Sequence, residues 1–226
     1  MARLSAQGEI VDCRRCPRLV DYREAVARNK VRRFRDWEYW GRPVPSLGDT
    51  RAQLLIVGLA PAAHGGNRTG RIFTGDRSGD WLYRALFKFG FANQPNSTDR
   101  NDGLRLIDSY ITAAIHCAPP DNKPLPTEFV NCRPYFLDEL THLKKVRVVV
   151  ALGSIAFKTL FAARKQLGWP NPAPLPHFGH GLIAPLADGV KVISSYHPSQ
   201  QNTQTGKLTE KMFDEVFRQA REALKN

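Results

Sequence analysis

The segment VRVVVALGSIAFKTLFAARKQ, residues 146–166, decides the fold class. Residues 146–152 are mostly branched and almost wholly apolar, which predicts a short strand buried on both faces. A glycine follows at once, and residues 153–166 then repeat apolar positions with the period of an α-helix. A buried strand that leads directly into a helix is typical of a parallel sheet whose two faces are covered by helices.

The same alternation extends in both directions from this segment. The other predicted strands are residues 53–59, 109–117 and 190–196. The other predicted helices are residues 79–90, residues 127–143 with Thr127 as N-cap, and residues 207–225. Together they predict an α/β fold, a three-layer α/β/α sandwich with a central, mostly parallel four-stranded sheet. We expect a single domain over residues 1–226, with residues 1–50 wrapped onto its body.

Composition indicates the class of partner. The 226 residues include 33 Lys and Arg against 21 Asp and Glu, which gives a net charge of +12. Such a basic surface favours a polyanionic partner, nucleic acid before membrane, although a positive surface that only aids solubility has the same composition. The sequence shows no signal peptide and no apolar run near the ~18 residues of a membrane span. We therefore expect a cytoplasmic protein that is not associated with a membrane.

Ligands of such sheets bind beyond the carboxyl ends of the parallel strands. The chain's most unusual sequences follow its predicted strands: GLAPAAHGGNRTGR at 58–71, HCAPPDNKP at 116–124 and YHPSQQNTQTGK at 196–207. The first lacks the pattern G-x-G-x-x-G, and Pro61 stands where the helix of a dinucleotide site should begin. No G-K-S or G-K-T follows, which excludes a phosphate-binding NTPase loop. We therefore expect no nucleotide cofactor.

The four cysteines form two pairs that are far apart in the sequence. Cys13 and Cys16 are arranged as C-x2-C, whereas 14 residues separate Cys117 from Cys132. Two such pairs can converge on one site, and both zinc and a four-iron, four-sulfur cluster accept four cysteine ligands. Four buried free thiols are the alternative. The tight C-x2-C spacing favours a metal site.

These features together carry a resemblance to a known family. The spacing C-x2-C…C-x14-C, the stretch GLAPAAHGGNRTGR followed by FTGD, and YHPSQQNTQTGKLT resemble the iron–sulfur uracil-DNA glycosylases. Within that superfamily the chain is most similar to family 5, often called UDGb, over nearly its whole length. The resemblance implies a DNA repair enzyme that flips uracil, hypoxanthine or another deaminated base out of DNA. It would hydrolyse the N-glycosidic bond and leave an abasic site.

The resemblance also assigns the cysteines and the pocket. It implies that Cys13, Cys16, Cys117 and Cys132 bind a 4Fe-4S cluster, rather than zinc, with a structural role. Phe73 is expected to stack on the base, and Asn122 to read its edge, because an amide matches N3–H and O4 of uracil. Without the resemblance, a core aromatic and a turn asparagine would explain the same two residues. The expected substrate-binding residues are Gly58, Ala60, Pro61, His64, Phe73 and Asn122.

Two residues are expected to be catalytic. An N–H of His197 would stabilise the departing base as negative charge develops on it. Asp76 would hold the attacking water or stabilise the sugar cation. Other families of the superfamily place Asp, Asn or Glu where this chain has Leu59, and family 5 shares that absence.

Contacts to DNA are expected beside the pocket. The predicted residues are Arg68, Arg71, Ser199, Asn202 and Lys207. Gln200 and Gln201 stand where many relatives have Pro-Leu, so an apolar wedge that helps to push out the base is absent. The segment RNKVRRFRDWEYWGRPVP, residues 28–45, interleaves basic and aromatic residues. It suits a nucleic-acid backbone, or equally a solvated face with packed aromatic rings.

Two other functions fit the sequence. A non-catalytic nucleic-acid-binding module, held together by a four-cysteine metal site, would have similar charge and cysteine spacing. A hydrolase of free nucleosides on the same scaffold would retain the pocket. A glycosylase assay separates the first alternative from an enzyme, and dependence of activity on the basic charge separates the second.

Overall fold

The computed structural model describes residues 9–225 as a sheet with helices on both faces. The strands are β1 (Leu47–Gly48), β2 (Leu54–Gly58), β3 (Ser109–Ala113), β4 (Val148–Leu152), β5 (Ile183–Pro185) and β6 (Lys191–Ser195). The principal helices are α1 (Pro17–Asn29), α2 (Gly66–Thr69), α3 (Arg77–Lys88), α4 (Pro126–His142), α5 (Ser154–Gln166), α6 (Gln200–Gln204) and α7 (Glu210–Ala223). Short 3-10 helices lie at Arg32–Phe34 and Pro120–Asn122.

The sheet has six strands in the order β1-β3-β2-β4-β6-β5. The four central strands are parallel, whereas β1 and β5 join the two edges in antiparallel orientation. The predicted α/β fold with a mostly parallel central sheet is therefore confirmed, and the sheet is larger than the expected four strands. The edge strands have two and three residues, too few to produce a readable alternation pattern.

Alternate residues of each central strand face opposite helical layers, as strand geometry requires. In β2, Leu54 and Ile56 pack in one core cluster with side chains of α3 and α7. Leu55 and Val57 pack in the other cluster with side chains of α4 and α5. All four side chains are fully buried, which explains why β2 reads as a continuous apolar run.

Helices α3, α4 and α7 do not start at the expected positions, and α7 begins at Glu210, three residues later than expected. Helix α4 begins at Pro126, so Thr127 lies inside the first turn and the predicted N-cap at Thr127 is wrong. Proline is favoured at the first helical position because the N–H that it lacks has no partner there. The backbone N–H of Leu125 donates instead to the Glu128 carboxylate at 2.7 Å. Helix α3 begins at Arg77, two residues before the expected start.

The N-terminal part of the chain is bonded to the loops at the carboxyl edge of the sheet. The backbone N–H groups of Trp40 and Gly41 donate to the carbonyls of Arg68 and Asn67, at 2.9 and 3.0 Å. The expectation that residues 1–50 form one wrapped segment of a single domain stays a prediction, since residues 1–8 lie outside the described residues. Within residues 9–225, no helix combines the length and the apolar character needed to cross a membrane.

Candidate active site and four-cysteine site

Most of the predicted pocket residues meet in a cleft of about 410 Å³. The cleft lies at the carboxyl edge of the sheet, where the segments after β2, β3 and β6 converge, together with the first turn of α3. The predicted residues that line it are Ala60, Pro61, Phe73, Asp76, Asn122, His197 and Ser199. Arg77 and Ser78 also line it and were not predicted. Asp76, just before an apolar helical repeat, is a signal for a helix start that would have placed both residues in the first turn at the cleft.

Phe73 forms one wall of the cleft in an unusual backbone conformation. Its φ of 51° lies in the left-handed region, which is rare for a bulky residue. The Tyr83 hydroxyl fixes the adjacent carbonyl of Ile72 at 2.8 Å. A Cβ on Gly79 would lie 1.8 Å from the Phe73 oxygen, and one on Gly58 would lie 2.8 Å from the Phe73 ring. The two glycines therefore allow the Phe73 backbone and ring to occupy these positions.

Asp76 is both a cleft residue and the N-cap of α3. Its Oδ1 accepts the backbone N–H of Gly79 at 3.0 Å, and a Cβ on Gly65 would lie 2.1 Å from its Oδ2. Burial raises the pKa of Asp76 above its ordinary value, and the backbone N–H groups of Gly79 and Ser78 oppose that shift. The carboxyl is thus held in a fixed orientation, and its charge is only partly solvated.

His197 lies next to Phe73 in the cleft. The two ring centroids are 6.1 Å apart, with 30° between the ring planes. The Asn202 side-chain amide donates to the His197 carbonyl at 2.9 Å, and the Asn202 backbone N–H donates to Ser199 Oγ at 3.3 Å. Burial lowers the pKa of His197 to about 4. The imidazole is therefore neutral near pH 7 and has one N–H to donate.

Of the predicted substrate-binding residues, Asn122 lines the cleft and His64 does not. Asn122 lies at the rim of the cleft, exposed, with a φ of 56° at the end of its 3-10 helix. His64 is not among the described residues that line the cleft. Its Nδ1 pairs with the Tyr39 hydroxyl at 3.1 Å. The structure thus brings Asn122 to the cleft, whereas His64, in the loop between β2 and α3, is paired with Tyr39.

Arg68 and Arg71 are buried, with 4% and 7% of their surface exposed. Arg68 donates to the carbonyls of His64 and Gly75, at 2.8 and 3.0 Å. Arg71 forms an ion pair with Asp102 at 2.6 Å and also donates to Ser97 and to the Arg100 carbonyl. Both guanidinium groups are buried and bonded to groups of the protein, and the predicted phosphate contacts of Arg68 and Arg71 stay predictions. The two arginines hold the loop between β2 and α3.

The other predicted DNA contacts surround the cleft. Lys207 is exposed, with its ammonium 5.1 Å from the centre of the Tyr196 ring. It lines a neighbouring depression of about 260 Å³, together with Asn202. Arg77 Nε donates to the Thr203 hydroxyl at 3.2 Å and so links α3 to α6. Of the five predicted DNA contacts, Lys207 is the one basic side chain whose charge faces solvent beside the cleft.

The four cysteines also come together. All four are free thiols and line one cavity, so the two distant pairs converge as the spacing predicts. Three sulfur atoms accept N–H groups: Cys117 from Arg23 Nη1 at 2.9 Å, Cys132 from the His116 backbone at 3.4 Å, and Cys16 from Asn131 at 3.5 Å. Within residues 9–225, no three His, Cys, Asp or Glu side chains are arranged to hold a single metal ion.

Arg23 places a buried positive charge beside these thiols. Its side chain is 2% exposed, and its Nε has no hydrogen-bond partner within the described part of the chain. Its Nη2 forms a long ion pair with the Glu24 carboxylate, at 3.9 Å. The Arg23 carbonyl accepts the side-chain amide of Asn67 at 3.2 Å, which connects α1 to the loop of the cleft. The sequence gives no signal that distinguishes this arginine from the many exposed ones.

Comparison with known proteins shows the family. A sequence model described as the Uracil DNA glycosylase superfamily matches residues 45–221. The Type-5 uracil-DNA glycosylase of Mycobacterium bovis is 51% identical over 210 residues, which cover 92% of this chain and 77% of that protein. The Type-5 enzyme of Thermus thermophilus is 50% identical over 209 residues, 92% of each chain. That of Pyrobaculum aerophilum is 49% identical over 213 residues, 94% of this chain and 89% of the relative.

Proposed function

Because the chain belongs to the uracil-DNA glycosylase superfamily, we propose that its cleft accepts uracil flipped out of DNA and releases it by hydrolysis. The protein is a DNA N-glycosylase of DNA repair. One observation supports this assignment of the cleft above all. Phe73, Asp76, Asn122 and His197, from three separate loops, line the same cavity. An aromatic face, a carboxylate, an amide and a neutral imidazole are the groups that the reaction needs.

The flipped base stacks on Phe73 and meets His197 at its edge. A base held between two rings would need them roughly 7 Å apart, about twice an aromatic contact distance, and these rings are 6.1 Å apart. The base therefore lies against Phe73 alone, with His197 to its side. Asn122, at the rim, presents an acceptor and two donors to the edge of uracil.

Bond breaking divides the work between two residues. The N-glycosidic bond breaks with its electron pair on the base. A water oxygen then bonds to C1′ of the sugar, and the proton that this water loses neutralises the released base. The neutral imidazole of His197 donates its N–H to the departing base as negative charge develops there. Asp76 acts on the other side, where its carboxylate stabilises the sugar cation and orients the water. Its cap bond to Gly79 keeps the carboxyl aimed while that charge appears.

We propose that the range of substrates extends to hypoxanthine and other deaminated bases. Leu59 and Ala62 line the cleft beside Ala60 and Pro61, so this wall offers backbone groups and small apolar side chains. A binding site rejects the wrong base mainly when that base leaves a buried polar group of the site unpaired. This wall has few polar side chains, so a purine would leave few of them unpaired. Lys207 and Ser199 contact the flanking phosphates. Since one chain supplies the whole cleft, we further propose a monomer that acts on DNA of the nucleoid.

The assay is cleavage of end-labelled duplex DNA that carries one uracil or one hypoxanthine, with alkali to break abasic sites. The unmodified duplex of the same sequence is the control substrate, and Asp76→Asn is the control protein. We expect strand breaks at the modified position only, formed about 100-fold or more slowly by Asp76→Asn than by the native chain. DNA binding without any abasic product would overturn the proposed function and favour a non-catalytic binding module.

Gly58→Ala tests the position of the Phe73 ring. The new Cβ would lie 2.8 Å from ring atoms Cε2 and Cζ, so the ring must shift. We expect the single-turnover rate to fall roughly 10- to 100-fold, because a displacement of about 1 Å at a reacting site has effects of that size. The DNA dissociation constant should change little, and the melting temperature, measured in parallel, should fall as expected for an overpacked buried contact, which costs about 1–3 kcal/mol. A normal rate would mean that the ring position does not matter for the base.

We propose that the four thiols bind a 4Fe-4S cluster with a structural role. Cluster thiolates commonly accept N–H groups, and three of these sulfurs do so. Arg23 supports an anionic site, because Nη1 of its buried side chain donates to the Cys117 sulfur at 2.9 Å and a buried cation is stabilised by negative charge close to it. Bound to the four cysteines, the cluster would supply a cross-link between α1, α4 and the segment after β3.

The cluster proposal predicts a yellow-brown protein. Freshly purified protein should contain about four iron atoms per chain and absorb broadly near ~400 nm, as thiolate-bound iron does. Cys13→Ala should lower iron content and melting temperature, since metal binding contributes to folding stability. Iron and zinc are measured on the same sample by elemental analysis. Stoichiometric zinc without iron would contradict the cluster and leave a four-thiolate zinc site.

A further inference from the structure

A basic aromatic patch lies outside the cleft and has no role in the reaction described above. It consists of Arg32, Arg33, Phe34, Arg35 and Trp37, at and after the first 3-10 helix. All three arginines are exposed, and Trp37 is 36% exposed. Within the described residues, Arg35 pairs with its neighbour Asp36 at 3.7 Å, whereas neither Arg32 nor Arg33 enters an ion pair. Two arginines therefore present uncompensated charge to solvent.

The patch is fixed to the loop of the cleft through one buried side chain. The Arg68 guanidinium lies 3.8 Å from the centre of the Phe34 ring and 4.1 Å from that of Trp37. The same guanidinium donates to the carbonyls of His64 and Gly75, at 2.8 and 3.0 Å. Gly75 immediately precedes Asp76. The position of the patch is thus set by the loop that carries the catalytic carboxylate.

The electrostatic field beside the basic aromatic patch is positive. Burial lowers the pKa of His64, and the positive charges of Arg33 and Arg68 lower it further. Arg33 itself stacks on Phe34, with its guanidinium carbon 4.3 Å from the ring centre, which limits its rotamers. An arginine whose conformation is already restricted loses less entropy when it binds an anion.

We propose that the basic aromatic patch binds the sugar–phosphate backbone of the DNA beside the flipped nucleotide. Arg32 and Arg33 contact phosphates, and the exposed part of Trp37 packs against a deoxyribose. This assignment rests on the proposed function, because it takes the cleft as the place where the base is bound. The patch holds the DNA on the side of the cleft formed by the loop between β2 and α3, opposite Lys207 and the segment after β6.

The test compares two charge-matched double variants. Arg32→Ala/Arg33→Ala removes two charges from the patch. Lys144→Ala/Lys145→Ala removes two exposed charges between α4 and β4, at the opposite edge of the sheet from the cleft. Affinity is measured for a duplex with a stable abasic-site analogue, which cannot be turned over, at several salt concentrations. The single-turnover rate on uracil-containing DNA is measured at saturating enzyme.

We expect the slope of log affinity against log salt to fall by about 1.8 for the patch variant, since each lost phosphate contact lowers it by about 0.9. The slope should not change for the Lys144/Lys145 control, and both variants should keep the native single-turnover rate. The conservative Arg32→Lys/Arg33→Lys variant should recover most of the slope. It serves as a check that the alanine variant has not lost affinity through misfolding.

The outcomes separate this inference from the proposed function. Native uracil excision with an unchanged slope in the patch variant would show that the patch only packs around Arg68, and would overturn the inference. The inference would also be overturned if both double variants lowered the slope equally, because the effect would then be one of net charge. DNA binding that depends on the patch, without any uracil excision, would support the inference and overturn the proposed function.

Discussion

Asp76→Asn is expected to lower the single-turnover rate of uracil excision about 100-fold or more, the usual effect of losing one transition-state contact. The sugar is the same in every substrate, so removal of hypoxanthine should slow by a similar factor. DNA affinity should stay near the native value, because the carboxylate faces the cleft and not a phosphate. Rates are measured with excess enzyme on both substrates.

Two variants of Asp76 separate the effect of its charge on the rate from the effect of its N-cap on stability. The Asn side chain still offers an oxygen to the Gly79 N–H, so it retains the cap of α3 that Asp76 provides. Asp76→Ala loses the cap as well and should lower the free energy of unfolding by about 1 kcal/mol. Equal rate losses with unequal stabilities would support the assigned role. If Asp76→Ala kept near-native rates on both bases, the carboxylate would not be catalytic.

His197→Ala is expected to lower the rate on uracil by about 100-fold or more, with a different factor for hypoxanthine. The difference arises because the N–H of His197 contacts the base, and bases differ in how much they need a hydrogen bond at that edge to depart. His197→Gln, whose amide also donates an N–H, should restore part of the rate. Identical losses on the two bases would contradict a contact with the leaving group.

The pH dependence distinguishes the two residues further. Since the pKa of His197 is lowered to about 4, the imidazole stays neutral at any pH well above 4. It has an N–H to donate in either protonation state, so its titration should not produce an acid limb. Asp76 acts as a carboxylate, and burial raises its pKa, so activity should decline as the pH falls towards that raised value. The acid limb of the profile in His197→Gln should therefore match that of the native chain. A limb that disappears in this variant would assign it to His197.

The sequence predicted the central strands because each is a short apolar run, and it predicted the gathering of three loops at one edge from topology alone. It could not predict the burial of Arg71. The ion-pair partner Asp102 is 31 residues away in the sequence, and an arginine near a pocket looks the same whether its partner is a phosphate or a carboxylate. The position of Asn202 could not be predicted either. Its side-chain amide donates to the His197 carbonyl, a contact that no local sequence pattern shows.

The convergence of the cysteines was predictable from spacing, whereas their surroundings were not. Arg23 lies between the two pairs in the sequence and has no motif of its own. Its contact with Cys117 depends on how α1 packs against the segment after β3. Such long-range contacts are set by the complete fold. The assigned roles of the site residues stay predictions until the variants above are measured.

The left-handed backbone of Phe73 has a consequence for the timing of recognition. A bulky residue in this region costs about 1–3 kcal/mol, and it persists only where its surroundings over-determine it. Here the surroundings are the Tyr83 hydroxyl and two close-packed glycines. The free energy of organising this wall is therefore spent when the chain folds, before any substrate arrives. An extruded nucleotide therefore meets a preorganised surface. Its entry into the cleft is limited by its extrusion from the DNA helix and not by rearrangement of the protein.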